Sequence, residues 1–409
     1  MKKKILLRAP LLTRSGYGEQ ARFALRSLRA HEDEFDIFIQ PLEWGKTSWI
    51  NDLNEEREWI DQTIEKSIYF IQQGGKFDYS LQVTVPNEFE NIADVNIGYT
   101  AGIETTKVAP QWLEKSNIMD RLIVVSNHSK EVFEKTVYTA VNQTTKEEVP
   151  YTLQTPVDVV NYPVKKYDSL PELELNLEYD FNFLCISQMG PRKNLPNLIK
   201  WFVKEFKDDE VGLVIKTNIM KNSLVDRLAT EDRIKKVIAS ETKDKKCKVY
   251  LLHGDMTDEE IHSLYLHGKI KSFVSLTHGE GFGLPLFEAA YSGLPVVVPG
   301  WSGQCDFLFD ENRKPRFYNV SFDIQPIQED AVWDGVVQKD SMWSFAREGS
   351  ARDQMRKCYE DVSAGNVTAC EYAIELSERF EKNKLYDQFV DSVLKAGESQ
   401  DKPSKVIVL

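Results

Sequence analysis

The sequence lacks a Cys-x-x-Cys pair, an Asp-x-Asp pair and any apolar run long enough to span a bilayer. Each absence excludes something. Five cysteines (Cys185, Cys247, Cys305, Cys358 and Cys370) are scattered and odd in number. They fit reduced thiols in a cytoplasm-like compartment and disfavour a zinc site. A membrane-spanning helix needs about 20 apolar residues in succession, so no integral membrane segment is expected. The start, Met1-Lys2-Lys3-Lys4-Ile5-Leu6-Leu7, imitates the charged opening of a signal peptide, but Arg8 ends the apolar run too early and no small-residue cleavage site follows. It reads as the first strand of a cytoplasmic protein. Positive charge is also scarce. The formal net charge of −13 disfavours a surface coated for general nucleic-acid binding, although a local basic groove stays open. Low-complexity segments are absent, and the only internal similarity is between two α/β halves.

What is present is enough for two or three domains: 409 residues, 42% of them hydrophobic. The stretch the chain is organised around runs from Thr277 to Glu288, Thr-His-Gly-Glu-Gly-Phe-Gly-Leu-Pro-Leu-Phe-Glu. The apolar run Ser272–Leu276 before it predicts a buried strand, and Leu286–Ser292 after it predicts a short helix. Pro285 suits a first helical position, because its missing N–H would have no intrahelical partner there. Gly293 supplies the left-handed stop, and Pro295–Val298 is the next strand. A Gly-rich turn therefore sits at the carboxyl end of a parallel strand and at a helix N-terminus, where α/β folds bind ligands and free backbone N–H groups favour anions.

Two carboxylates flank the turn, Glu280 in the loop and Glu288 in the helix, with Gly281-Phe282-Gly283-Leu284-Pro285 between them. This string resembles the Glu-x7-Glu signature of retaining glycosyltransferases of family 4. That resemblance implies the GT-B fold, an α/β architecture of two Rossmann-like domains facing a central cleft, with a C-terminal helix crossing back to the first domain. It also implies that Glu280 touches the donor sugar, that loop positions Gly281, Phe282, Gly283 and Leu284 serve the sugar and diphosphate, and that Glu288 holds the nucleotide ribose. Gln188-Met189-Gly190-Pro191-Arg192-Lys193-Asn194 follows the strand Phe183–Ser187. From composition alone Arg192 and Lys193 read as a solvated pair. The loop resembles the family's diphosphate site, which makes both catalytic, since the leaving diphosphate gains charge as the glycosidic bond breaks. One departure is visible: where many members carry a further arginine early in this loop, Gln188 stands here.

Lys4–Arg8 and Glu19–Leu28 predict a strand and a helix joined by the glycine loop that contains Gly16 and Gly18. This resembles the family's N-terminal loop facing the donor phosphates. Further strands are predicted at 35–39, 77–83, 96–99, 121–125, 211–215 and 248–252, and helices at 51–74, 258–267, 348–361 and 369–394. His253 to Met256 resembles the turn near the nucleotide base. Glu104, in the loop after 96–99, is the best polar candidate on the acceptor side, or else a loop carboxylate capping the next segment. His128 either reaches the site or is a surface histidine in a helix-capping region. His278 either contacts the sugar or is structural. Segment 142–155 reads as an inserted loop or hairpin, 325–335 as an acidic loop, and Trp333 and Trp343 as anchors on the core. The expected organisation is 1–165 as the acceptor-side domain, 166–180 as linker, 181–380 as the nucleotide-sugar domain, and 381–409 as a helix and tail packing back on the first.

The resemblance implies a metal-independent hexosyl- or pentosyltransferase with no cofactor beyond its nucleotide-sugar co-substrate, a UDP-sugar. The acceptor is open. The overall style resembles phage-encoded members, some of which decorate hydroxymethylated DNA bases, and a DNA acceptor would need a basic cleft face built from Arg8, Arg14, Arg22 and Lys107. Glycan, lipid and protein acceptors are the alternatives. A reading of another class is a non-catalytic nucleotide-sugar-binding protein on the same scaffold.

Overall fold

Alternating strands and helices of the first half build one parallel sheet, and those of the second half build another. The computed structural model describes residues 2–45, 47–51, 53–141, 146–242 and 244–398. In the first half β1 (Lys3–Ala9), α1 (Gly16–Arg29), β2 (Phe35–Pro41), α2 (Glu55–Gln72), β3 (Tyr79–Val83), β4 (Val95–Thr100), α3 (Pro110–Ser116), β5 (Arg121–Val124) and α4 (Asn127–Lys135) alternate. A hairpin of β6 (Tyr138–Val141) and β7 (Glu148–Tyr151) follows, then β8 (Val157–Val159). The six sheet strands are all parallel, in the order β2-β1-β3-β4-β5-β8.

The second half runs through β9 (Asn182–Ile186), α5 (Leu195–Phe206), β10 (Gly212–Lys216), α6 (Leu224–Ala239), β11 (Lys248–Leu252), α7 (Asp258–Leu266), β12 (Ile270–Val274), α8 (Leu284–Tyr291), β13 (Val296–Pro299), α9 (Cys305–Leu308) and β14 (Tyr318–Val320). Its sheet is again parallel, in the order β11-β10-β9-β12-β13-β14. In each sheet the strand order reverses beside the first strand, and open α/β sheets bind ligands in the crevice outside such reversals. The glycine loop follows β1. The Arg192-Lys193 turn follows β9, and the Thr277–Glu288 stretch follows β12. Both second-half loops thus leave the two strands that flank the reversal.

A hairpin of β15 (Phe322–Pro326) and β16 (Met342–Ala346) precedes α10 (Glu348–Ser363), α11 (Ala369–Arg379) and α12 (Lys382–Glu398). The last helix returns to the first sheet. Phe389 lies 5.3 Å from Phe23 of α1 and 5.0 Å from Tyr99 of β4, ring centre to ring centre. The α/β, two-domain GT-B architecture with a recrossing terminal helix is the observed one. Among the described residues no helix is long and apolar enough to cross a membrane.

Several local expectations differ from what forms. The helix expected over 369–394 breaks at Phe380 (φ −109°, ψ 38°), where the chain turns from one domain to the other. The segment read as an acidic loop at 325–335 begins inside β15. Trp343 is buried, at 2% exposure, but Trp333 is 64% exposed and anchors nothing. Pairing in the β6/β7 hairpin answers the loop-or-hairpin question for the insert. Residues 142–145 and the tail from 399 lie outside the described residues.

Candidate functional site

Local chemistry fixes the loops at the cleft. In the first domain Ser15 caps α1 by accepting from the Gly18 N–H at 2.9 Å. Gly18 must be glycine: a Cβ there would lie 2.0 Å from the Thr13 carbonyl oxygen. In the second, Gly283 takes a left-handed conformation (φ +95°) to start α8, and Gly293 (φ +86°) ends it, a region that L side chains rarely adopt. Thr257 and Glu260 close a capping box at the start of α7, with bonds of 2.8 and 3.2 Å.

Arg192, Lys193, Glu280 and Glu104 form one cluster. Arg192 Nη1 is 2.8 Å from Glu280 Oε2, and Lys193 Nζ is 2.6 Å from Glu280 Oε1, which also accepts from Thr277 Oγ1 at 2.9 Å. Across the domain boundary Glu104 Oε1 is 3.3 Å from Arg192 Nη1. The Glu280 side chain is 11% exposed and that of Lys193 18%. Burial pushes the Glu280 carboxyl up, but Arg192 and Lys193 more than offset it and hold it at about 2. Burial and the neighbouring Arg192 push the Lys193 ammonium below the ordinary lysine value. Burial opposes the Arg192 charge, but Glu104 and Glu280 raise it above its usual value. Glu280 and Arg192 are therefore charged at neutral pH.

Two adjoining cavities, of about 660 and 560 Å³, open between the domains around Glu288, and none of the four cluster residues lines either. Arg14, Ser15, Ile186, Met256, Thr257, Tyr265 and Pro285 line the larger. The smaller lies at the hinge, behind Glu288, and Lys165, Tyr167, Phe287 and Tyr291 line it. Glu19, Arg26, Asp258, Glu259 and Glu288 belong to both walls. Tyr265 Oη donates to Glu288 Oε2 at 3.0 Å. Burial pushes the Glu288 carboxyl up to about 7, with Glu19 and Asp258 adding to the rise and Lys165 opposing it.

Not every residue expected at the site reaches it. Phe282 is buried among Phe287, Phe307 and Tyr162, with ring centres 5.1–5.2 Å away. Its side chain is core, not a donor contact. His253 hydrogen-bonds Asp226 of α6 at 2.9 Å and is not among the residues lining either cavity, whereas Met256 and Thr257 of the same turn are. Leu284 lines the hinge cavity. Gly16 is exposed, and a Cβ there would meet nothing. Gly279 and Gly281 serve the domain boundary: Cβ atoms on them would come 2.6 Å from the Glu104 carbonyl oxygen and 2.3 Å from that of Ala101.

His128 is mostly buried rather than a surface residue. Its ring is 5.1 Å from Trp301 of the second domain, its Nε2 has no partner, and burial lowers it to about 4, which keeps it neutral. His278 is structural: its Nδ1 donates to the Ser344 carbonyl at 2.6 Å, and its ring stacks on Trp343 at 5.1 Å. Gln188 turns outward and donates to the Ile219 carbonyl at 3.1 Å. Glu19, Lys165 and Asp258 were missed. The one signal for Glu19 was an acid in the first turn of the helix that follows a glycine loop.

Residues 173–314 match the model of the family described as Glycosyl transferases group 1. This part of the chain is similar to that family. It contains Arg192, Lys193, Glu280 and Glu288. The serotype-specific mannosyltransferase WbdA of Escherichia coli is 31% identical over 120 residues, which are 29% of this chain and 13% of WbdA. A glycosyltransferase from Rickettsia africae superposes with a TM-score of 0.60 over 97% of this chain and 99% of its own, at 12% identity. Sucrose-phosphate synthase from Thermosynechococcus elongatus gives 0.59 over 97% and 100%, at 11% identity. HepE of Anabaena, solved with UDP and glucose, gives 0.56 over 96% and 100%, at 12% identity. At such identities the three share the fold with this chain. Gly16, Gly18, Glu104 and His128 lie outside the matched residues, and the fold alone brings Glu104 to its cations.

Proposed function

We propose that this chain is a retaining glycosyltransferase that moves a sugar from a nucleoside diphosphate to a hydroxyl acceptor. The observation that carries the reading is the mostly buried Arg192–Lys193–Glu280 cluster at the ends of β9 and β12, with Glu288 of the following helix in the wall of the cavities between the domains. In this reading the nucleotide fills the larger cavity, with Glu288 accepting from the ribose hydroxyls and the Met256 turn beside the base. The diphosphate meets Arg192 and Lys193. As the anomeric C–O bond breaks, the diphosphate oxygen gains negative charge, and a guanidinium fork with a nearby ammonium stabilises it. Both Glu280 oxygens already accept from cations, so Glu280 orients the cluster and receives sugar hydroxyls rather than attacking carbon. The acceptor oxygen then bonds to the anomeric carbon on the face the diphosphate leaves, and its proton passes to the departing phosphate oxygen. Configuration is retained and the atoms balance.

Charge favours a glycan over DNA as the acceptor. Each of the four cations named for a DNA-binding face, Arg8, Arg14, Arg22 and Lys107, is held within the chain. Arg22 is buried and bonds the Leu11 and Thr13 carbonyls at 2.9 and 3.1 Å. Lys107 pairs with Asp340 at 2.6 Å. Arg8 donates to the Glu88 carbonyl at 2.9 Å and pairs with Glu90 at 3.5 Å. Arg14 donates to the Met256 carbonyl at 3.3 Å. The deciding measurement is nucleoside-diphosphate release from a panel of nucleotide sugars, alone and with glycan acceptors or hydroxymethylated DNA. Release that one sugar supports and a glycan accelerates is the expected result. Acceleration by DNA alone would move the acceptor, and nucleotide binding without turnover on any acceptor would leave only the binding-protein reading.

Nucleotide affinity depends on pH through Glu288, whose ionised form is the acceptor the ribose needs. Affinity should be flat above about pH 7 and fall about tenfold per unit below it. The Glu288→Gln variant should bind weakly at every pH, without the break. Calorimetric titration from pH 5.5 to 9.5 checks both statements.

A further inference from the structure

Glu288 stands among like charges. Glu19 faces it from α1, Asp258, His262 and Tyr265 from α7, Lys165 and Tyr167 from the irregular segment between β8 and β9, and Tyr291 from its own helix. Lys166, Glu381 and Lys382 stand around the same hinge cavity. A carboxylate surrounded this way and half removed from water takes up a proton unless a cation intervenes. Arg22 is committed to Glu19, and Arg26 pairs with Glu56 at 2.7 and 2.8 Å. Lys166 and Lys382 are exposed.

Lys165 is placed differently. It begins the crossing between domains, and its Nζ lies 2.9 Å from Glu19 Oε2 of the first domain and 2.9 Å from Asp258 Oδ2 of the second. Its backbone is hydrogen-bonded by Tyr291, one turn after Glu288 on the same helix. The ammonium is thus held by α1 and α7 and the backbone by α8, in the wall of the cavity that Glu288 also lines.

We propose that Lys165 is a positioning residue for the nucleotide site: its ammonium keeps the Glu288 carboxylate ionised and so sets the lower edge of the pH range in which nucleotide binds. The proposal rests on the reading of Glu288 as the ribose ligand. It does not follow from the sequence motif, which contains neither Lys165 nor its two carboxylate partners. Lys165 need not touch the nucleotide. Its effect is electrostatic, and it lapses wherever pH alone keeps Glu288 ionised.

The test titrates UDP, GDP and ADP into the full chain from pH 5.5 to 9.5 and follows whichever the wild type binds most tightly. Lys165→Met should move the affinity break upward by about one pH unit, costing about fivefold at pH 7 and much less at pH 9.5. Lys165→Arg should keep the wild-type break. Asp258→Asn removes a like charge and should move the break downward, so the proposal stays testable if Lys165→Met fails to fold. A loss of affinity by one constant factor at every pH would mark Lys165 as merely structural and overturn the proposal. So would a break that no variant moves. If the wild type shows no break and Glu288→Gln binds as tightly, the ribose reading itself fails, and the proposal falls with it.

Discussion

Replacing Lys193 with alanine should lower kcat by two to three orders of magnitude and leave the donor KM within about threefold, because removing one preorganised charge donor from a transition state typically has that effect. The ammonium is the more buried of the two cations, and the leaving oxygen gains its charge only as the bond breaks. Lys193→Arg should rescue poorly, since a planar fork does not occupy the volume of a point charge. The pH dependence has a definite sign. Burial and Arg192 hold the Lys193 ammonium below the ordinary lysine value, so wild-type kcat should fall as pH rises through that lowered value, and Lys193→Ala should lose this alkaline limb. Steady-state release of nucleoside diphosphate, with Glu288→Gln as the contrasting donor-affinity variant, measures all of this. Wild-type kcat in Lys193→Ala would remove the cluster from the mechanism.

Gly281→Ala is expected to be as damaging without removing any charge. The new methyl would sit 2.3 Å from the Ala101 carbonyl oxygen, a backbone atom of the other domain that cannot rotate away. The domains must part by roughly 1 Å, and a displacement of that size between reacting groups costs about a hundredfold in rate. Turnover should fall at least that far, while nucleotide affinity, whose proposed ligands Glu288 and the Met256 turn both belong to the second domain, changes by less than about threefold. Gly16→Ala is the control, because a methyl there meets nothing. Equal turnover in Gly281→Ala and wild type would show that the boundary yields, and that the close approach is not needed for reaction.

The turn from Thr277 to Glu288 could be read from the chain because its grammar is local. A strand, a left-handed glycine and an early helical proline specify where it lies whatever surrounds it. Arg192 and Lys193 were less visible, since from composition a pair of cations after a strand is a solvated pair, and only packing against Glu280 buries it. Phe282 and His253 show the opposite failure. Both lie within a suggestive string, but a phenylalanine side chain at a helix start fills the nearest apolar volume, and an imidazole near Asp226 pairs with it. Lys165, Glu19 and Asp258 come from three distant parts of the chain and share no period, so no pattern along the sequence joins them. Trp333 was read as an anchor for its size alone, and the turn it occupies holds it in solvent.

The chain passes between its domains twice, once from Lys165 onward and once at the break after α11, and the two passes are stitched side by side where the Val164 N–H donates to the Phe380 carbonyl at 3.0 Å. A single tether would let the halves swivel freely. Two parallel tethers restrict them to something like the swing of a door, so any widening of the cleft pivots on this seam. A cut at residue 165 would also release a first half whose sheet has lost the helix bearing Phe389, and that half is not a self-sufficient folding unit.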